Sequence, residues 1–98
     1  MASGGRRSFF GAFIGTGASL TISKIGFHPS RVDLVNVDDP GFGTHVEGMP
    51  AASMAKQVDA TSSFVTSNGI TLNDAGFILG ADTDLNVDGE QVFFTAME

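Results

Sequence analysis

The sequence predicts an all-β domain, a compact β-sandwich or jelly-roll-like barrel of about seven or eight short strands with an N-terminal arm. Thirteen glycines and three prolines are scattered between short apolar runs, the punctuation expected of turns between strands. No window of eleven or more residues keeps the three-four apolar spacing of an amphipathic helix, whereas several runs alternate apolar with polar residues, the period of a half-buried strand. The 98-residue length suits one hydrophobic core and is too short for two. Residues 1–7 are therefore read as the arm and 8–98 as a single β-sandwich domain.

The arm, MASGGRR, consists of small residues ending in two adjacent positive charges, Arg6 and Arg7, with no acid. It is suited to docking on an acidic neighbour or to keeping the terminus solvated. Ser8–Ile14 (SFFGAFI) is an aromatic-rich strand, with Phe9 and Phe13 on one side and Phe10 on the other. Burying both sides requires a central strand or a subunit contact. A terminal strand often lies at a sheet edge where another chain can cover it, so Arg6, Arg7, Phe9, Phe10 and Phe13 are the candidate interface residues.

Gly15-Thr-Gly17 turns the chain into Ser19–Ile25, where Leu20 and Ile22 alternate with Thr21 and Ser23. Pro29 lacks a ladder donor and belongs before the next strand, Arg31–Val37. In that strand Val32 and Leu34 face one way and Asp33, Val35 and Val37 the other. Asp38-Asp-Pro-Gly41 signals a turn, and Gly41-Phe-Gly43 extends the irregular stretch. From Thr44 to Asp59 the pattern weakens, leaving a short strand or one helical turn near Ala51–Lys56. Ser62–Thr66 and Ile70–Leu72 read as two strands joined by a tight Asn68-Gly69 turn. Phe77–Leu79 and Gln91–Met97 complete the set.

The composition argues against several functions. Eleven acidic and five basic residues give a formal charge of −6, and the basic residues form no stripe, so direct nucleic-acid binding is not expected. Cysteine is absent, which removes disulfides and thiolate metal sites. The apolar run at Phe9–Ile14 is too short to cross a membrane as a helix. Gly11–Gly17 lacks the Lys-Ser/Thr step of a phosphate loop. The serines form no nucleophile motif, and no enzyme activity is expected. His28 and His45, without cysteine partners, make a poor zinc set. They are read as a turn residue and a residue on a partly solvated edge. All nine aromatic residues are Phe, which suits a core or a dry interface.

Asp82-Thr-Asp84-Leu-Asn86-Val-Asp88-Gly89 alternates oxygen-bearing side chains with other residues, an arrangement able to turn several oxygens toward a hard cation such as calcium. Asp84, Asn86, Asp88 and Gly89 match positions one, three, five and six of a calcium loop, but Thr95 stands where that motif needs a bidentate Glu. The favoured reading therefore has no cofactor. In it Leu85 and Val87 plug the core, the acids face water, and Asn86 and Asp88 shape the final turn. Calcium at Asp82, Asp84, Asn86 and Asp88 is the alternative, with missing ligands supplied in an assembly.

Gly26-Phe-His-Pro29 leading into Val32–Asn36, then Gly76-Phe-Ile-Leu-Gly80, Leu85–Glu90 and Val92–Ala96, together resemble small β-sandwich structural proteins of tailed bacteriophage virions. Those modules occur as head decoration proteins or as parts of tail fibres. The resemblance implies a homo-oligomeric capsid decoration (cement) protein on the outer surface of the head, whose partners are copies of itself and the major capsid protein. A tail or fibre module contacting a host receptor is the alternative.

Overall fold

The computed structural model describes residues 7–38 and 40–98. Arg6, the preceding part of the arm, and Asp39 lie outside the described residues. Among the described residues eight strands form, β1 (Ser8–Ile14), β2 (Leu20–Ile22), β3 (Arg31–Asn36), β4 (Gly41–Val46), β5 (Ser53–Val58), β6 (Thr61–Asn73), β7 (Gly76–Leu79) and β8 (Gln91–Met97). They pair antiparallel throughout in one curled sheet ordered β1-β8-β3-β4-β5-β6-β7-β2. The fold class is all-β as expected from the period-two runs, and no helix occurs among the described residues.

Alternation decides which side chains the curl encloses. In β8, Val92, Phe94 and Ala96 are buried while Phe93 and Met97 are exposed, and in β3 Val32 and Leu34 are buried. Phe94 is the aromatic hub. It stacks on Phe9 at 5.9 Å between centroids, tilts against Phe13 at 6.3 Å, and meets Phe77 edge-on at 5.3 Å. Each such pair adds about 0.5–1.5 kcal/mol beyond area burial. Glycines beside these bulky groups make the space: a Cβ at Gly11 would lie 2.7 Å from the Phe94 ring, and one at Gly43 would lie 2.5 Å from Leu85.

The meander β3 to β7 is completed by β8, which inserts between β1 and β3, and by β2, which adds beyond β7. The consecutive strands β1 and β2 thus become opposite edges of the sheet. The curl brings them to the two sides of a cleft of about 410 Å³, lined by Phe9–Ala12, Phe94 and Thr21–Lys24.

Near Ala51–Lys56 the short-strand alternative holds, as β5 begins at Ser53. Two local readings are corrected. Gly41-Phe-Gly43 opens strand β4 and is not an irregular stretch. Ser67-Asn-Gly69 does not reverse the chain: β6 runs through it, and the register jumps from Met54↔Val65 to Ser53↔Ile70. The intervening residues bulge out, with Asn68 left-handed at φ 59° and Gly69 N–H donating to the Ala52 carbonyl at 2.9 Å.

Candidate functional site

Two places carry the residues singled out by the sequence: the outer face of the sheet around β1, and the loop between β7 and β8.

On the outer face, register aligns Ala12, Phe93, Val35 and Phe42 in one row across β1, β8, β3 and β4. Phe10 begins the neighbouring row, followed by Thr95, Asp33 and Thr44. Phe10 is 75% exposed, Phe42 52% and Phe93 46%, with Ile14 and Val37 also exposed. Phe10, Ala12, Phe93 and Thr95 line one shallow groove. A run of apolar side chains across four strands is more than the singly scattered hydrophobes of an ordinary surface, and such contiguity marks contact sites. The polar row is held rigidly: Arg31 Nε donates to Asp33 Oδ2 at 2.9 Å, and Thr44 Oγ1 to Asp33 Oδ1 at 2.7 Å.

Of the candidate interface residues, Phe10 points outward. Phe9 and Phe13 turn inward, half-buried around Phe94. Arg7 is engaged within the domain: its Nη2 lies 2.8 Å from Glu98 Oε2 and its guanidinium 5.2 Å from the Phe27 ring centroid. The hydrogen bond to Glu98 and its charge raise the Arg7 pKa above its ordinary value. Arg6 lies outside the described residues. Sequence reading missed Phe93, Val35 and Phe42. The Phe93-Phe94 pair within β8 carried the signal for the first, since adjacent residues of a strand face opposite sides.

The loop after β7 works as a plug. Leu85 is fully buried, as expected of it. Asp82, expected to face water, is instead only 5% exposed. Its Oδ1 accepts from the Asp84 and Leu85 N–H groups at 2.9 and 3.0 Å. Lys56, from the inner side of β5, places Nζ 2.9 Å from Asp82 Oδ2 and 2.7 Å from Asp84 Oδ2. Burial pushes the Lys56 pKa down, but the hydrogen bonds to Asp84 and Asp82, with their charges, outweigh it and hold the pKa above its ordinary value.

The other two calcium candidates do not converge on that point. Asn86 is buried with Nδ2 donating to the carbonyls of Ala18 at 2.6 Å and Gly80 at 2.9 Å, while Oδ1 accepts from Thr16 N–H at 2.8 Å. Asp88 is exposed. Among the described residues, no group of three or more His, Cys, Asp or Glu side chains is placed to hold a metal ion. A second buried amide, Asn36, donates to the Asp84 carbonyl and to Glu90 Oε1, both at 2.8 Å. No described buried side-chain nitrogen or oxygen lacks a hydrogen-bond partner, so the loop is tied down by complementary polar groups.

The histidines are far apart in role. His28 is exposed, with Nδ1 3.2 Å from Asp74. His45 corrects the expectation of a partly solvated edge, being 2% exposed with Nδ1 2.7 Å from the Ser53 carbonyl. No protein-family model matches the chain, and neither a curated protein nor a solved structure matches it.

Proposed function

We propose that this chain is a structural component of a tailed-phage particle, a head decoration (cement) protein that acts by contact, with no catalytic role. The observation that carries the contact reading is the outward-facing apolar row Ala12–Phe93–Val35–Phe42, in which Phe93 and Phe42 are exposed and Val35 half-buried, with exposed Phe10 beside it, borne on a sheet whose other face already encloses a core. The assignment to a virion is supported by the sequence elements that resemble phage modules. In this reading the partners are copies of the chain and the major capsid protein on the outer surface of the head. A protein that binds only the assembled lattice stabilises it by the free energy of binding, and many copies make weak contacts sufficient.

One observation favours the tail or fibre reading. Phe42 borders a groove of about 220 Å³ with the outward side chains of Thr44, Gln57 and Ser62, an aromatic face beside hydrogen-bonding groups that suits a sugar on a host surface. Gold-labelled antibody against the chain, viewed on purified particles by electron microscopy, tests both. Label over the head is expected. Label confined to the tail supports the alternative, and unlabelled particles reject a virion role.

A further inference from the structure

We infer that β1 is a self-pairing edge: two copies of the chain join antiparallel through β1 about a twofold axis at Gly11, making one continuous sheet. The hydrogen bonding of β1 assigns its free edge. Gly15 N–H donates to the Glu90 carbonyl and Glu98 N–H to the Arg7 carbonyl, so odd-numbered residues exchange bonds with β8. Antiparallel alternation then turns the N–H and C=O groups of Ser8, Phe10, Ala12 and Ile14 away from β8, toward the cleft whose far wall is Thr21–Lys24, so the partner strand enters between β1 and that wall. These four positions are symmetric about Gly11, the midpoint of the seven-residue strand. Pairing Ser8 with the partner's Ile14 and Phe10 with the partner's Ala12 is the register in which the whole strand overlaps and each free group meets its complement.

The residue chemistry of the edge fits this occupant. Natural sheets protect an open edge with charge, proline or a bulge, and β1 has none of these between Ser8 and Ile14. Gly11 falls at a non-hydrogen-bonded crossing, where strands approach most closely. Its absent side chain leaves only backbone at the axis. On the outer face, Phe10 of each copy lies opposite the partner's Ala12, a large side chain over a small one. The rows then join: Phe42, Val35, Phe93 and Ala12 of one copy continue into the partner's Phe10, with the twin row alongside. Pairing therefore doubles the apolar band around the twofold. The use of that doubled band in assembly rests on the contact reading above, whereas the pairing itself is a property of the isolated chain.

The chain has no cysteine, so introduced thiols report the register alone. Sedimentation equilibrium of the purified chain is expected to give twice the 10.1 kDa chain mass. Ala12→Pro and, separately, Ala12→Lys should weaken self-association at least tenfold while remaining folded by circular dichroism, because the Ala12 N–H and side chain both face outward. Ser8→Cys/Ile14→Cys should oxidise to a covalent dimer, with neither single variant doing so. A wild-type chain that stays monomeric into the high micromolar range overturns the inference. So does cross-linking of the single variants as readily as the double, or undiminished dimer in a folded Ala12→Lys chain. A dimer in solution that does not bind phage heads would reject the decoration reading and leave the β1 pairing standing.

Discussion

Replacing Lys56 by methionine keeps much of the apolar stem and removes the ammonium that sits 2.9 Å from Asp82 Oδ2 and 2.7 Å from Asp84 Oδ2. Removing one partner of a buried pair typically costs about 3–5 kcal/mol, because the remaining charge is left uncompensated. Asp82, at 5% exposure, keeps its two backbone N–H donors, which continue to favour its anion. The lower end of the range, about 3 kcal/mol, therefore applies. For a domain of this size that corresponds to a fall of roughly 12–24 °C in the unfolding midpoint, at about 4–8 °C per kcal/mol. Urea titration followed by far-ultraviolet circular dichroism measures it, with Lys56→Met/Asp82→Asn completing a double-mutant cycle. The double variant should recover part of the loss, since it no longer buries an unpaired carboxylate. The sign of the pH dependence follows from the raised Lys56 pKa. The ammonium's contribution is complete below the unfolded lysine value of about 10.4 and is lost as pH rises through the folded value. The stability gap between wild type and Lys56→Met should thus close in strongly alkaline solution. A Lys56→Met chain within about 0.5 kcal/mol of wild type, the scale of an inert surface change, would refute the account of the plug.

Phe94→Ala removes the ring shared by Phe9, Phe13 and Phe77 and should cost about 3–5 kcal/mol in the same titration. Gly43→Ala places a methyl against Leu85 and Met54 and should cost about 1–3 kcal/mol by overpacking, read as a lowered denaturation midpoint. Calcium at millimolar concentration should leave the thermal midpoint of the isolated wild-type chain unchanged, since Lys56 already stands between Asp82 and Asp84. A saturable rise would show that the loop recruits the ion.

The strands legible in the sequence are those whose inward positions carry apolar side chains. Ser8–Ile14, Arg31–Asn36 and Gln91–Met97 announce themselves through Phe9 and Phe13, Val32 and Leu34, and Val92 and Phe94. Strand β4 was hidden because its inward residues are Gly41, Gly43 and His45. The space above Gly43 is filled by Leu85 and Met54 from distant segments, so the strand has no apolar alternation of its own. Ser67-Asn-Gly69 has the chemistry of a hairpin turn, yet the left-handed residue it supplies makes a bulge, because Gly69 is held against Ala52 and Ser53. The spacing of Asp82, Asp84, Asn86 and Asp88 showed that oxygens were close in sequence. It did not show that Lys56, remote along the chain, would bond to two of them, or that Asn86 would serve Thr16 and Ala18. The outward direction of Phe10 was readable from its neighbours. The band it belongs to was not, since Phe93, Val35 and Phe42 meet only through the register of β8, β3 and β4.

The contact reading stands most directly on the outer apolar row. Phe42→Ser/Phe93→Ser changes two exposed side chains and leaves the inner face untouched, so the chain should remain folded with its denaturation midpoint nearly preserved. Phage particles prepared without the protein can be incubated with wild-type or variant chain, and bound copies counted by quantitative gel analysis of the sedimented particles. The account predicts saturable binding of the wild type and at least a tenfold loss of affinity for the variant. Equal occupancy by a folded Phe42→Ser/Phe93→Ser chain, or no saturable binding by the wild type, would contradict it.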